Sequence, residues 1–225
     1  RLRQSALVAD IGIKAAIEAV KPGTSESRIA AEAEYAMRYA GAEGFWRTYV
    51  SSGSRTGIAH GLPTNRKLES GDLVMIDVHP VVDGYSSDVC RTVCVGKPSI
   101  EQQSAYDVYL KAQQATVAKA RAGVGMVELG ETMHGIMKNE GHGEHIFGPP
   151  IHGIGIDFEE SPLPPGHAFF HGEKEPPPLP ANVVIAIGNC GLYSESWGVR
   201  VEDTVVVGDE GPIILTTYPY FLNLT

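Results

Sequence analysis

The sequence predicts an α+β domain made of two similar halves, and three observations carry that expectation. A helix, a Gly-containing break and a second helix occur over residues 1–40 and again over residues 105–138. Each helical pair is followed by apolar, β-branched runs that read as a strand pair, at residues 73–95 and 183–207. Each strand pair carries acids among its apolar residues, Asp77 and Asp88 in the first and Glu202 in the second. The likeness is one of arrangement, since residue identity between the halves is slight. A chain of 225 residues with 43% hydrophobic content can bury a full core, so it fits one domain over residues 1–225 or two intimately packed halves.

Taken in order, Leu2, Ala6, Ala9, Ile13 and Ile17 recur at helical spacing, and Pro22-Gly23 stops that helix. Thr24 is expected to cap a second helix, with Glu26 in its first turn, running to Ala40 before Gly41. Phe45 to Val50 reads as a strand and Ser51 to Gly57 as a polar loop. His60, in Ala59-His60-Gly61-Leu62-Pro63, sits at a turn just upstream of the acid-bearing strands. A solvated loop His and a catalytic one are weighed evenly at that position.

Leu73 to Val78 forms the first strand of a hairpin, Pro80 and Asp83-Gly84 break it, and Tyr85 to Val95 returns. A turn centred near Val82-Asp83 sets Asp77 opposite Asp88, with β-carbons roughly 5 Å apart. Centring it one residue later makes the two diagonal neighbours. Either register brings like charges together between apolar residues, which is unfavourable unless they share a proton or hold a cation. A metal site is therefore the first reading.

Ser99 and Gln102 form a capping-box pattern ahead of a helix from Ala105 to Ala122. A break from Gly123 to Gly130 precedes a helix from about Glu131 to Lys138. Val183 to Asn189 and Gly198 to Val207 are expected as strands around a Gly191-to-Trp197 loop, with Glu202 inside the second. Between the halves, glycines follow His152 in His152-Gly153-Ile154-Gly155, where, taken alone, a structural turn ranks ahead of a ligand. Together, Asp77, Asp88, Glu202 and His152 are three carboxylates and one imidazole, which suits divalent Mn, Fe, Co or Zn. The Pro-rich stretch from Pro162 to Pro180, with His167 and His171, suits a rim or cover over a cleft.

Charge and cysteine usage narrow the partners. A net charge of -9 argues against nucleic acid or an anionic membrane, and no apolar run is long enough to span a bilayer. Three cysteines with no spaced framework suit a reducing cytosol, so a cytoplasmic location is expected. The chain opens on Arg1 without Met, which leaves an upstream amino-terminal domain open.

Several segments resemble the methionine aminopeptidase, prolidase and creatinase family. They are Val20-Lys21-Pro22-Gly23-Thr24-Ser25-Glu26, His60-Gly61-Leu62-Pro63, Gly71 to Asp77, Asp83 to Thr92, His152 to Gly155, and Gly198 to Thr204. The resemblance implies the pita-bread fold, two pseudo-symmetric helix-helix-β halves around a central cleft. It implies one or two divalent ions, with Asp77 chelating one, Asp88 and Glu202 bridging both, and His152 binding the other. The family's further Glu ligand falls on Gly188 or Asn189, neither of them acidic; Asn189 could offer an amide oxygen and Cys190 a thiolate. Where prolidase-like members carry a substrate-contacting His, this chain has Glu159. His79, two residues beyond Asp77 and on the same strand face, is expected at the surface, with an added ligand or supporting donor as the alternative.

The function implied is that of a metal-dependent hydrolase resembling Xaa-Pro aminopeptidases and dipeptidases. His60 would donate to substrate, and Glu159 or Glu160 would move a proton or hold an amine. A creatinase-like enzyme for another small substrate and a non-catalytic peptide-binding module are the alternatives. The expected partner is a small peptide or amide, with no nucleic acid or membrane and with a homodimer left open.

Overall fold

A computed structural model describes residues 1–163 and 176–224. Helix α1 (Leu2–Glu18) buries Ala6, Ala9, Ile13 and Ile17, as their spacing predicts. Helix α2 (Glu26–Tyr39) is capped by Ser25, whose hydroxyl accepts the Arg28 N–H at 3.2 Å. Thr24, the expected cap, lies one residue too early. Its backbone bonds to Lys21 and Leu68 instead.

Strand β1 (Gly44–Ser52) leads into a 3-10 turn over Gly53–Gly57, where a polar loop was expected. Strand β2 (Leu73–Val82) pairs with β1 on one side and with β3 (Tyr85–Ser86) and β4 (Val89–Cys94) on the other. Pro80 does not end the strand. It lies opposite Phe45, next to a register shift in β1 between Phe45 and Thr48, where the ladder is already interrupted and a missing N–H costs little. Asp83 and Gly84 both take positive φ, 50° and 76°, as a tight hairpin turn requires. The turn thus centres one residue beyond Val82-Asp83. Asp77 pairs with Cys90, so Asp77 and Asp88 are diagonal neighbours and His79 lies on their face of the sheet.

The second half opens with α3 (Ile100–Lys119), which carries the expected Ser99/Gln102 capping box. Helix α4 (Met126–Asn139) begins five residues before the expected start at Glu131. Gly130 is inside the helix, and Leu129 and Met133 on either side of it are buried; a β-carbon at Gly130 would make ordinary contact, 3.4 Å, with the Pro150 ring. Strands β5 (Ile146–Phe147), β6 (Ile151–Gly153), β7 (Val184–Ile187), β8 (Gly191–Tyr193), β9 (Gly198–Val199), β10 (Asp203–Val207) and β11 (Pro212–Ile214) follow. The expected strand from Gly198 to Val207 is therefore two strands, with Glu202 in the break between them. One of the two pairs into a β5-β8-β9 sheet and the other into a β11-β10-β7-β6 sheet.

Each helical pair covers one sheet. Ile13 and Ile29 pack against Val74, Ile76 and Val89, while Val117 and Leu129 pack against Ile151, Ile185 and Val205. A third cluster, including Leu73, Tyr109, Met133, Leu192 and Val199, joins the halves. The seam between β4 and β10 is stitched by backbone and side chains. Cys90 and Glu202 exchange N–H to O bonds of 3.3 and 3.1 Å, and Thr204 Oγ1 accepts the Asp88 N–H at 2.9 Å and donates to the Asp88 carbonyl at 2.8 Å. That seam places Asp88 and Glu202 side by side. Most of the Pro-rich stretch read as a rim, including His167 and His171, lies outside the described residues.

Candidate metal centre

Five buried side chains converge between the halves: Asp77 and His79 from β2, Asp88 just ahead of β4, His152 from β6 and Glu202 from the break before β10. They form two groups that share Asp88, namely Asp77/His79/Asp88 and Asp88/His152/Glu202, each with its donor atoms within 4.8 Å of one another. His79 Nε2 lies 3.2 Å from Asp77 Oδ1 and 3.3 Å from Asp88 Oδ1. His152 Nε2 lies 3.4 Å from Asp88 Oδ2 and 3.9 Å from Glu202 Oε1. Asp88 therefore turns one oxygen to each imidazole.

Backbone carbonyls orient both rings. His79 Nδ1 is 2.8 Å from the Arg47 oxygen and His152 Nδ1 is 2.9 Å from the Gly153 oxygen. A carbonyl only accepts, so each Nδ1 carries the proton and each Nε2 faces the carboxylates. The atoms aimed inward, Asp77 Oδ1, His79 Nε2, both Asp88 oxygens, His152 Nε2 and Glu202 Oε1, have no assigned hydrogen-bond partner among the described residues. Carboxylates crowded together in a buried site are costly unless positive charge sits among them, as a proton on each Nε2 or as a bound cation. A divalent cation removes that cost, and a set of carboxylates and neutral imidazoles has the right chemistry for one. The residues present therefore fit a metal ion.

Arg200 serves the outer side of the cluster. Its guanidinium donates to Asp77 Oδ2 at 2.7 Å, to Glu202 Oε2, and to Asn189 Oδ1 at 3.4 Å, and its Nε donates to the Gly188 carbonyl at 3.1 Å. It thus engages one oxygen of Asp77 and one of Glu202 and leaves the inward oxygen of each free. Burial opposes ionisation of Asp88, yet His79 and His152 outweigh it and hold its pKa well below the usual carboxylate range. Burial likewise opposes charge on His79, but Asp77 and Asp88 prevail and raise its pKa well above that of a free imidazole. Burial pushes Glu202 upward despite Arg200.

Against expectation, His79 is fully buried at the centre of the site. It is buried because β2 continues through Pro80 instead of turning there. Asn189 is nearly buried, and its amide oxygen faces Arg200. Gly188 cannot stand for the missing Glu: at φ 129°, an added β-carbon would lie 2.1 Å from the Val201 carbonyl. Cys190 is in the core beside Met133, and burial pushes its thiol up to about 12, so it offers no thiolate. Glu160 accepts the Asp157 N–H at 2.9 Å, closing its own loop.

His60 and Glu159 line a cavity of about 580 Å³ with Trp46, Arg47, Tyr49 and Phe158. The cavity lies directly outside the cluster, because the Phe158 ring is 4.5 Å from that of His79 and 5.5 Å from that of His152. Phe158 also stacks on Trp46 at 5.4 Å, and His60 lies 5.1 Å from Tyr49. Desolvation in the cleft, with the Arg200 charge, lowers the His60 pKa. The roles of Arg200 and of the Trp46–Phe158 wall were missed in the sequence, although Arg200 precedes Glu202 by two residues, the spacing that puts both on one face of an extended strand.

A helix-backed pair of sheets with buried carboxylates and imidazoles at their seam defines the class as a pita-bread domain with a divalent-ion donor set. A model of metallopeptidase family M24 matches residues 1–209, and the chain belongs to that family. It is 34% identical over 211 residues to a Xaa-Pro dipeptidase of Pyrococcus furiosus, covering 93% of this chain and 58% of the relative. It is 32% identical over 220 residues to a putative dipeptidase of Bacillus subtilis, covering 97% of this chain and 58% of that protein. The prolidase structure from Pyrococcus horikoshii superposes with a TM-score of 0.91 at 32% identity, covering 98% of this chain and 62% of that one. The chain thus spans about three fifths of the length of these relatives.

Proposed function

We propose that the protein is a metal-dependent hydrolase that cleaves a small peptide or amide, in the manner of Xaa-Pro dipeptidases and aminopeptidases. The observation that carries this reading is the set of buried donor atoms without partners, in two groups joined by Asp88. Asp77, Asp88, His152 and Glu202 would hold one or two divalent ions, with Mn, Co, Fe and Zn all compatible with the donors. Asn189, whose amide oxygen lies 3.4 Å from the Arg200 guanidinium, would join the cluster through Arg200 and not as a direct ligand. When bound, such an ion acidifies water and polarises a carbonyl at neutral pH.

The chain's own residues supply the rest. The cavity outside the cluster admits a substrate of a few residues, and the Trp46 and Phe158 rings offer an apolar wall that excludes water around the scissile bond. His60, at the mouth and held at φ 57°, would donate an N–H to the substrate carbonyl side. Glu159, which lines the same cavity, would hold the substrate amine or take up a proton. Arg200 fixes the two carboxylates so that they do not swing away from the centre.

A second reading, a relative acting on another small substrate without metal, draws on one feature. Arg200, His79 and His152 together can neutralise Asp77, Asp88 and Glu202 when both imidazoles are protonated. Hydrolysis of a panel of Xaa-Pro dipeptides by the purified protein, with a chelator and then with added Mn²⁺, separates the two. Activity that vanishes with chelator and returns with metal supports the peptidase; activity indifferent to both removes it.

A further inference from the structure

We infer that His79 is a metal ligand, completing with Asp77 and Asp88 a three-donor site that stands beside the Asp88/His152/Glu202 site. This deepens the proposed function and rests on it for the binding of ions at all. Asp88 serves both sites, one oxygen to each.

Geometry carries the assignment. Three ligands about 2.1 Å from a common ion, at angles between octahedral and tetrahedral, lie about 3.0–3.4 Å from one another. His79 Nε2 is 3.2 Å from Asp77 Oδ1 and 3.3 Å from Asp88 Oδ1, inside that window. The imidazole is also held for the task. Its Nδ1–H is committed to the Arg47 carbonyl at 2.8 Å, and ring edges or faces of Tyr49 and Phe158 lie 5.7 and 4.5 Å from it, so Nε2 has one direction to point. A metal-binding histidine is characteristically oriented in this way, by a hydrogen bond from its other nitrogen. His152 repeats the arrangement on the far side of Asp88, with Nδ1 on the Gly153 carbonyl. The two groups therefore have the same composition, one imidazole and two carboxylates with Asp88 counted in both, and the His79 group is the tighter, since His152 Nε2 stands 3.9 Å from Glu202 Oε1. No carboxylate stands at Gly188 or Asn189, so the site has fewer acids than the family pattern and one more imidazole. That balance moves its preference from hard Mn²⁺ towards borderline Co²⁺ and Zn²⁺.

The test is X-ray absorption of the full chain, stripped with chelator and reloaded with two equivalents of Zn²⁺, together with calorimetric titration of Zn²⁺ and Co²⁺. The expected result is two sites and an average of one imidazole nitrogen per ion, falling to half that number in His79→Gln, with one site weakened at least tenfold. Identical imidazole counts and affinities in wild type and His79→Gln would overturn the assignment. Circular dichroism checks that the variant folds, and if it does not, the wild-type count decides alone: half an imidazole per ion overturns the inference. A wild type that takes ions through His152 only would sink this inference and leave the proposed function standing. A wild type that takes no ion would sink both.

Discussion

Replacing Arg200 with Met tests the electrostatic design of the cluster. Methionine fills much of the same buried volume and contributes no donor, so Asp77 Oδ2 and Glu202 Oε2 lose their partner at once, while the Gly188 carbonyl keeps only the Tyr109 hydroxyl. Removing one member of a buried ion pair typically costs about 3–5 kcal/mol, because the remaining charge is left uncompensated. For a chain of this size about 1 kcal/mol moves the melting temperature by about 2–4 °C, so the metal-free variant should melt about 6–20 °C below the wild type. A divalent ion then becomes the main source of neutralisation. At a hundredfold excess over its dissociation constant an ion contributes about 2.7 kcal/mol. The stabilisation on adding Mn²⁺ or Zn²⁺ should therefore be larger in Arg200→Met than in the wild type. Thermal unfolding by circular dichroism, with chelator and with metal, measures both quantities. A metal-free loss below about 1 kcal/mol with the same metal increment in both proteins would refute the role given to Arg200.

Four further outcomes follow from contacts in the structure. Asp88→Asn keeps the shape of the shared residue but removes its charge, so bound metal per chain should fall sharply; full retention would refute the sharing of Asp88 between the two groups. Glu26 is buried and accepts from Ser52 at 2.7 Å, Arg55 at 3.2 Å and Thr64 at 2.6 Å, anchoring the turn that leads to His60. Glu26→Ala should therefore destabilise by about 3 kcal/mol in urea unfolding, and an unchanged midpoint would show the network to be idle. Gly188→Ala should lower stability by more than about 1 kcal/mol, since its β-carbon meets the Val201 carbonyl at 2.1 Å and its φ is 129°. Asn189→Glu, which puts a carboxylate where the amide oxygen lies 3.4 Å from Arg200, should fold and bind metal more tightly; unchanged or weaker binding would mean that position does not face the site.

Much of the fold was open to reading in the sequence because apolar periodicity and caps are local signals. Ile13 and Ile17 repeat at helical spacing, Ser99 and Gln102 box a helix start, and Asp83-Gly84 closes a hairpin. The acids Asp77, Asp88 and Glu202 stood out because each interrupts a run that burial would otherwise keep apolar. What escaped depends on partners distant in sequence. Pro80 looks like a strand end until β1 supplies an irregularity opposite it, and His79 looks exposed until the strand continues past it. Gly130 looks like a helix break until the buried Leu129 and Met133 on either side of it are seen to hold the helix to the core. The strand division around Glu202 needs the Cys90 bridge, which joins residues more than a hundred positions apart. The seam between the halves is made of such long-range pairings, and there local pattern carries least.

Elemental analysis of protein purified without chelator tests the central claim most directly. Divalent metal retained in a folded chain, and lost with Asp88→Asn, is the predicted result. A folded chain that holds no metal and shows no heat on titration with Mn²⁺, Co²⁺ or Zn²⁺ would contradict it.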